Sequence, residues 1–428
     1  MTVSRTLSGP DSDAEPSSAP APPGGRRRSL PGGLAPFASP GFRALFAGTT
    51  LTMAGYFMQV VAQGWLVYDL TGSPTWLGIV AFANGIPMLF LALPAGVLVD
   101  RFDRRNVLIV AQAFTALIAF LLAGLIWSGH LEAWHVALLS FASGCFFVAI
   151  VPARQALLPN TVERSMLGRA IGMMSAGTNF GRVIGPSVAG VAIAALGAAM
   201  AFGVQGFGFV LALVCAFLLP KRAAAARSHG RSAVQSLLEG LGYVWQNPTV
   251  FRLLLLQAVP AFVLMPYTQL MPIFARDILH AGPEGLGTLM TSMGVGSVCG
   301  SVLIVLVPQR RQGLVVLTAL AGLSVSLIAL AASTSLPISI GIMAIIGVTQ
   351  AVYLATNNTL VQLAVPDALQ GRVMSVYMTT WGLMPLGALP QGILADIVGA
   401  PAVVAGAGLL SCLMIAVMAL RNPDLRAL

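Results

Sequence analysis

The sequence predicts an all-α integral membrane protein with twelve transmembrane helices in two six-helix, pseudo-symmetric halves. The first observation is composition: 57% of the 428 residues are hydrophobic and 9% are charged. Soluble globular domains carry about 25% charged residues, so this composition excludes a soluble globule. The other two observations are a series of long apolar runs and an internal repeat.

Twelve apolar runs are each long enough to cross a bilayer as a helix, which takes about 20 residues. Lipid offers backbone groups no hydrogen-bonding partner, so spanning segments are helices or closed barrels, and runs of this length favour helices. The predicted spans are 42–68, 75–98, 106–127, 134–157, 168–195, 198–219, 251–275, 286–308, 313–332, 337–362, 373–396 and 401–420.

The two halves of the chain match one another after a shift. Phe42-Arg43 falls on Phe251-Arg252 when the chain is shifted by 209 residues, and Gly168-Arg169 matches Gly371-Arg372 after a short gap. Parallel repeats related by an axis along the membrane normal have this signature. The predicted organisation is a disordered cytoplasmic tail at 1–38, an N-terminal half at 39–220, a cytoplasmic linker at 221–250, a C-terminal half at 251–420 and a cytoplasmic C-terminus at 421–428.

The tail and the linker are the polar parts of the chain. Residues 1–38 are rich in Pro, Ser, Ala and Gly and cannot bury a core. They contain no apolar region of a signal peptide, so the first span is expected to direct insertion. In the linker, apolar residues from Val234 to Val244 repeat at helical spacing, which predicts an amphipathic helix within a tether between the halves.

Basic residues collect on one side of the predicted bundle. Loops rich in Lys and Arg stay in the cytoplasm, so both termini are expected there, with the protein in the plasma (inner) membrane and the lipid bilayer around it. The net charge of +9 then reflects the membrane topology. Nucleic-acid binding is not expected, because the sequence does not show the basic face of a soluble domain that it would require. That side carries Arg43, Arg101, Arg104, Arg164, Arg252, Arg310, Arg372 and Arg421, and the other carries Arg276, Asp69, Asp277 and Asp396.

A charged clasp, Gly96–Arg105, separates the second and third spans. Its charged residues are Asp100, Arg101, Asp103, Arg104 and Arg105. It resembles the signature loop of the major facilitator superfamily, with Asp103 in place of the second glycine. The resemblance implies that the clasp latches onto the start of the eleventh span, near Gly371-Arg372, and closes the cytoplasmic side, with Gly96 allowing close helix approach. The alternative is a charge cluster that fixes topology and has no gating role.

Small residues recur along the fifth predicted span. They are Gly172, Gly181, Gly185, Ala189 and Gly190, with Pro186 among them. The spacing resembles the antiporter signature of the same superfamily, with Ala189 in place of one glycine. It implies a helix that Pro186 bends at the interface of the two halves, a feature associated with exporters. The alternative is the small-residue packing common in membrane bundles.

Arg182 lies inside that motif, near the middle of the membrane. An arginine at this depth costs on the order of 3 kcal/mol on insertion scales, so it must face protein or water. We expect an anion site in a central cavity, and the alternative is a structural pair with a neighbouring amide, carbonyl or Asp69. Other polar residues could line the same cavity or form interhelical hydrogen bonds. They are Asn179, Gln59, Gln63, Tyr267, Gln269, Gln350, Tyr353 and Trp381.

Three segments, Asp100–Arg105, Pro152–Pro159 and Asn179–Pro186, are similar to those of one branch of the superfamily. Over about residues 40–420 the chain resembles this branch, which contains enterobactin-type siderophore exporters and macrolide efflux proteins. The resemblance implies export of a small organic molecule by alternating access, with a proton as the coupling ion. The protein is expected to be a monomer. No metal or other cofactor is expected, because the cysteines and histidines are scattered and no nucleotide-binding loop occurs. Uptake of a nutrient is an alternative. A membrane-embedded receptor or enzyme is another, but no catalytic constellation supports it.

Overall fold

The described elements of the chain are helices that follow its apolar runs. The computed structural model describes residues 32–220, 233–304 and 311–422, and no strand occurs among them. Asp103 and Asn247 accept backbone N–H bonds as N-caps, which fixes two of the helix starts. The helices are α1 (Pro40–Thr71), α2 (Pro74–Arg101), α3 (Arg104–Trp127), α4 (Ala133–Leu157), α5 (Leu167–Phe217), α6 (Ala233–Gln246), α7 (Pro248–Val263), α8 (Tyr267–Ile273), α9 (Gly282–Leu303), α10 (Gln312–Ala332), α11 (Leu336–Leu363), α12 (Asp367–Thr380), α13 (Leu383–Val398) and α14 (Ala400–Arg421).

One of the long helices is two spans in succession. Eleven helical segments of the described residues are long and apolar enough to cross a membrane, and one of them, Arg164–Phe217, has 54 residues. That length is about 80 Å of helix, far more than the hydrocarbon core of about 30 Å. Gly197 divides it with φ 82° and ψ 168°, a conformation that glycine adopts without steric cost. The first arm of α5 (167–196) and the second arm (198–217) are therefore separate spans, consistent with the predicted twelve.

Two spans of the C-terminal half are interrupted. The seventh consists of α7, α8 and a π-helical turn at Phe274–Ile278, with a break between Val263 and Tyr267. The eleventh consists of α12 and α13, with a break at Trp381-Gly382. Irregular backbone at membrane depth is tolerated where it is buried in protein or lines a cavity. Both breaks therefore mark the interior of the bundle.

The halves meet along two helix pairs, α2 with α13 and the first arm of α5 with α9. Glycines allow the backbones to touch in both pairs. A Cβ added at Gly78 would lie 2.8 Å from the Ala388 carbonyl oxygen, and one added at Gly190 would lie 2.9 Å from the Gly287 Cα. Close approach of backbones through small residues is the usual way in which helices associate in lipid.

The bundle is closed at one face and open at the other. Successive spans run antiparallel, so the helix ends with Arg101, Arg104, Arg164, Arg372 and Arg421 share one face, which we term the basic face; the other end is the opposite face. The tightly packed glycines at the junction of the halves lie in the part of the bundle nearer the opposite face. Gly41 and Gly240 near the basic face contact elements of their own half, but four other glycines there, Gly96, Gly168, Gly172 and Gly371, have no atom within 4 Å of an added Cβ. The halves therefore separate toward the basic face, and the close approach expected at Gly96 does not occur in this arrangement.

The peripheral segments are described in part. Residues 1–31, 221–232 and 423–428, which hold most of the predicted tail, linker and C-terminus, lie outside the described ranges. Residues Gly32–Ala38, at the end of the predicted disordered tail, instead form a short 3₁₀ helix. Their order follows from aromatic packing, since the Phe37 ring lies 5.4 Å from that of Phe42.

The helix predicted in the linker is α6, and it packs on α12. Glu239 forms an ion pair with Arg372, with 2.7 Å between Oε2 and Nη1. A Cβ added at Gly240 would lie 2.5 Å from the Arg372 carbonyl oxygen, so the two backbones touch there. The end of α12 to which the clasp was expected to latch is therefore held by α6 in this arrangement.

Candidate functional site

Arg182 is a largely enclosed cation in the first arm of α5. It lies 15 residues after Leu167, about 22 Å along the helix, near mid-membrane. Its Cζ lies 5.2 Å from the centroid of the Phe57 ring of α1, a cation–π contact. Its Nε is buried and has no hydrogen-bond partner in the described part of the chain. The predicted structural alternative, a pair with Asp69, does not form, because Asp69 lies 3.4 Å from Arg276 Nη1.

The backbone around Arg182 joins the two halves. Residue 186 is proline and has no N–H, so the carbonyl of Arg182 lacks its helical donor. Helix α9 approaches there: a Cβ added at Gly294 would lie 3.2 Å from that carbonyl oxygen. One turn further on, the Ser187 and Thr291 hydroxyls lie 2.6 Å apart across the junction. The backbone of Arg182 thus lies at the contact between α5 and α9, and its guanidinium lies against Phe57 of α1.

The glycines of the fifth-span motif divide between two partners. Gly181 and Gly185 pack on α1, where a Cβ added at Gly181 would lie 2.7 Å from the Ala54 backbone nitrogen. Gly190 packs on Gly287 of α9. The helix stays continuous through Pro186, and its break lies at Gly197. The motif therefore serves one contact within the N-terminal half and one between the halves.

Gln59 and Gln63 belong to a buried network inside the N-terminal half. Gln59 Oε1 accepts a bond of 3.1 Å from Gln205 Nε2, and Gln59 Nε2 donates to Ser143 Oγ at 3.4 Å. Gln63 Nε2 donates to Ser140 Oγ. Each of the two glutamines is 5% exposed. They tie α1 to α4 and to the second arm of α5, so the structure gives them the interhelical role rather than a free place in a cavity.

Tyr353 has a similar role in the C-terminal half. Its hydroxyl donates to the Leu256 carbonyl oxygen at 2.7 Å and lies 3.1 Å from Gln257 Oε1, and the side chain is fully buried. Tyr377 donates to the same amide oxygen at 3.2 Å. This cluster joins α7, α11 and α12. The structure therefore corrects the prediction that Tyr353 lines a substrate cavity, because its hydroxyl forms hydrogen bonds to α7.

The remaining predicted residues lie nearer to the junction. The Tyr267 hydroxyl contacts the Met293 sulfur at 2.9 Å, and Gln350 Nε2 contacts the Met265 sulfur at 2.8 Å. Tyr267 also lies within electrostatic range of Arg182. Three others are half-buried, and the structure shows no side-chain hydrogen bond from them to the described residues. These are Asn179, Gln269 and Trp381.

The clasp residues are engaged within their own half. Arg104 Nη1 donates to the Ala156 carbonyl oxygen at 3.0 Å, and Arg105 Nη2 donates to the Phe217 carbonyl oxygen at 2.6 Å. These carbonyls end α4 and α5, where cations are favoured by the helix dipole. Asp103, the departure from the signature loop, caps α3 by accepting from the Arg105 N–H at 2.9 Å. The side chain of Asp100 lies outside the described part of the structure.

Sequence reasoning did not anticipate a group of polar contacts that joins the halves at the opposite face. Arg276 pairs with Asp69 and donates to the Tyr68 carbonyl oxygen at 3.2 Å. Tyr68 in turn donates its hydroxyl to Asp277. Asp396 of α13 accepts the Thr75 backbone N–H of α2 at 2.9 Å, together with nearby hydroxyls. We term these contacts the outer clasp.

Removal of Asp396 is expected to loosen the outer clasp. The side chain of Ser73, the N-cap of α2, makes no capping bond, so Asp396 takes that role from the other half. Loss of a cap costs about 1 kcal/mol, so Asp396→Ala should raise the open population of the opposite face about fivefold. The measurement is thiol labelling of Leu77→Cys, a buried position on α2, with the four native cysteines replaced by serine.

Glu284→Ala is the matched control, because Glu284 is an exposed carboxylate on the same face in the first turn of α9. It should leave the labelling rate unchanged. Equal rates in Asp396→Ala and the parent would show that the cap does not hold the face closed.

The arrangement has two packed halves, a closed face, an open face, and a largely enclosed cation on α5, the helix that packs on the other half. Over residues 31–428 the chain matches the family described as transmembrane secretion effector. It is 30% identical over 404 residues to the multidrug efflux pump Tap of Mycobacterium tuberculosis, which covers 91% of this chain and 94% of Tap. It is 24% identical over 364 residues to macrolide efflux protein A of Streptococcus pyogenes, covering 84% of this chain and 90% of that protein.

A solved structure of a mutant nucleoside transporter NupG has the same fold. The TM-score is 0.73 at 13% sequence identity, covering 88% of this chain and 99% of that one. At this identity the likeness bears on the fold alone. The family match spans nearly the whole chain, including both halves and their junction. The chain therefore belongs to the transmembrane secretion effector family of the major facilitator superfamily.

Proposed function

We propose that this protein exports small organic molecules from the cytoplasm by alternating access, with the basic face toward the cytoplasm and a proton gradient as the drive. The names of the relatives, a multidrug efflux pump and a macrolide efflux protein, support export of drug-like cargo. The concentration of arginines at the basic face supports the orientation. Localisation in the plasma membrane follows from the same assignment.

The observation that carries the proposal is that the halves are joined at the opposite face and separated near the basic face. The outer clasp joins the halves at the opposite face, whereas Gly96 and Gly371 near the basic face have no neighbour within 4 Å of an added Cβ. A cargo from the cytoplasm would therefore reach the middle of the bundle in this arrangement. Its release requires the reverse arrangement, in which the outer clasp opens and the basic face closes.

The test is transport in everted membrane vesicles prepared from cells that express the protein. A proton gradient, acidic inside, should drive accumulation of a macrolide or another drug from a panel, and an uncoupler should abolish it. Vesicles with the empty membrane are the control. Accumulation in right-side-out vesicles but not in everted ones would favour uptake instead, and accumulation insensitive to the uncoupler would contradict proton coupling.

Asp100 is proposed to stabilise the reverse arrangement, in which the clasp meets the start of α12. A carboxylate at a helix N-terminus contributes about 0.3–1 kcal/mol, so Asp100→Asn should raise the population open at the basic face severalfold and slow transport. The measurement is thiol labelling of Ser375→Cys, an exposed position of α12, in the background without native cysteines.

Glu163→Gln is the control for this change. Glu163 is exposed at the basic face and makes no capping bond there. The control should transport at the parental rate. If Asp100→Asn and the parent label alike during turnover, the latch has no gating role.

A further inference from the structure

A cavity lies near the basic face, in the cleft between α4 and the first arm of α5. Its volume is about 560 Å³, within the range of about 300–1,000 Å³ that suits drug-sized ligands. α1 packs against both α4 and α5, and Thr49 and Met53 of α1 line the cleft. The cavity thus belongs to the N-terminal half and is separate from the contact of α5 with α9.

Arg154 of α4 is the charged residue of this cavity. It is 6% exposed, and its Nη1 donates to the Thr49 carbonyl oxygen at 3.3 Å. A guanidinium has five N–H donors, and the structure shows no further hydrogen bond or carboxylate partner for this one among the described residues. A buried charge without a counter-charge is costly, so the free donors along the cavity are suited to an anionic ligand.

The rest of the lining is apolar with a few hydroxyls. Met53, Ile171 and Met174 offer flexible or branched apolar surface, and methionine adapts to irregular ligands. Ser175 and Thr178 add hydroxyls on α5, and the Thr178 hydroxyl donates to the Met174 carbonyl oxygen at 3.0 Å. A ligand that matches this lining carries one acidic group on an apolar body.

We propose that the cleft is a loading site for amphipathic organic acids, in which Arg154 binds the carboxylate and the methionine side chains pack on the apolar body. The planar donor fork of arginine matches a carboxylate with two parallel bonds. Thr178 lies at the upper end of the cavity, four residues before Arg182 and about 6 Å along the helix. An acid that leaves Arg154 and passes Thr178 would therefore meet Arg182 about one helical turn further into the bundle. As a station for cargo, the site rests on the proposed export function.

The test measures binding to the purified full-length protein in neutral detergent, without a gradient. The probes are 11-(dansylamino)undecanoic acid and its methyl ester, which share the dansyl group and the apolar chain but carry an ionised carboxylate or a neutral ester. Hydrogen bonds to a charged group contribute about 1.5–3 kcal/mol, so the acid should bind at least tenfold more tightly than the ester. Arg154→Gln should remove that preference and leave ester affinity unchanged, and Arg154→Lys should retain part of it.

Arg43→Gln is the matched control, because Arg43 is an exposed arginine near the same face and should not affect either probe. Unfolding temperature reports whether each variant is folded. If Arg154→Gln does not fold, the acid should still protect Ser175→Cys from thiol labelling in the arginine-containing protein, and the ester should protect it less.

Three results would overturn the proposal. The first is an acid-to-ester preference that Arg154→Gln and Arg154→Lys leave unchanged, and the second is equal protection of Ser175→Cys by both probes. The third is that phosphatidylglycerol displaces the acid in an Arg154-dependent way while everted vesicles carry a drug but not the acid, which would assign the cleft to lipid. Failure to carry any compound would contradict the export function, and the binding results would still decide whether Arg154 recognises the acid.

Discussion

Arg182→Ala is expected to reduce binding of anionic or acceptor-rich cargo by at least tenfold, because it removes charge-assisted hydrogen bonds of about 1.5–3 kcal/mol. The buried Nε has no hydrogen-bond partner among the described residues and the guanidinium lies against the Phe57 ring, which supports the proposal that Arg182 binds a ligand. Arg182→Lys keeps the charge without the planar fork and should lose less. The measurement is binding per folded molecule of purified protein, with cationic drugs as the comparison.

A purely structural arginine would give a different pattern. Its removal would lower the amount of folded protein in the membrane and affect anionic and cationic cargo alike. Phe57→Leu is a useful companion variant, because it removes the ring beneath the guanidinium but not the charge. Unchanged anion binding in folded Arg182→Ala protein would exclude Arg182 from the substrate path.

Gly287→Val is expected to be equally damaging, by forcing α5 and α9 apart. A Cβ added at Gly287 would lie 2.9 Å from the Gly190 Cα and 2.9 Å from the Pro186 carbonyl oxygen, so it meets backbone that cannot rotate away. Overpacking of this kind costs about 1–3 kcal/mol, which shifts the balance toward an open opposite face by about 5- to 150-fold. Thiol labelling of Ser187→Cys should rise, and transport should collapse.

Gly172→Val is the matched control. It lies on α5 within the same glycine motif, but an added Cβ there meets no atom within 4 Å. It should therefore leave the labelling rate of Ser187→Cys unchanged, apart from the small effect of valine on the helix. If the two variants label and transport alike, the contact between Gly190 and Gly287 does not govern closure.

The spans could be predicted because lipid leaves the backbone few choices. The boundary between predicted spans 168–195 and 198–219 falls at Gly197, where a positive φ ends one helix. The interruptions at Val263–Tyr267 and at Trp381-Gly382 were not predicted, although Pro266 lies in the first and Gly382 in the second. Proline and glycine are also tolerated inside continuous membrane helices, so these residues alone do not distinguish a broken span from an intact one.

The candidate site could be predicted in part. Arg182 is recognisable because a charge within an apolar run is costly, and Arg154 carries the same signal near the end of the predicted span 134–157. The roles of the glutamine side chains could not be assigned from the sequence. Gln59 and Gln205 bond to each other across 146 positions of sequence, and no spacing rule connects them. Whether a glutamine faces cargo or a neighbouring helix depends on which spans pack together.

The cap that Asp396 places on α2 has a consequence for biosynthesis. The start of α2 is inserted early, yet its side-chain acceptor for the Thr75 N–H is synthesised 321 residues later. Until then, the backbone N–H groups at the start of α2 can form hydrogen bonds only with water or lipid headgroups. The nascent half should therefore remain frayed at this helix end, and a ribosome stalled before α13 should carry a chain whose first turn of α2 exchanges its amide hydrogens rapidly. Completion of α13 should protect them.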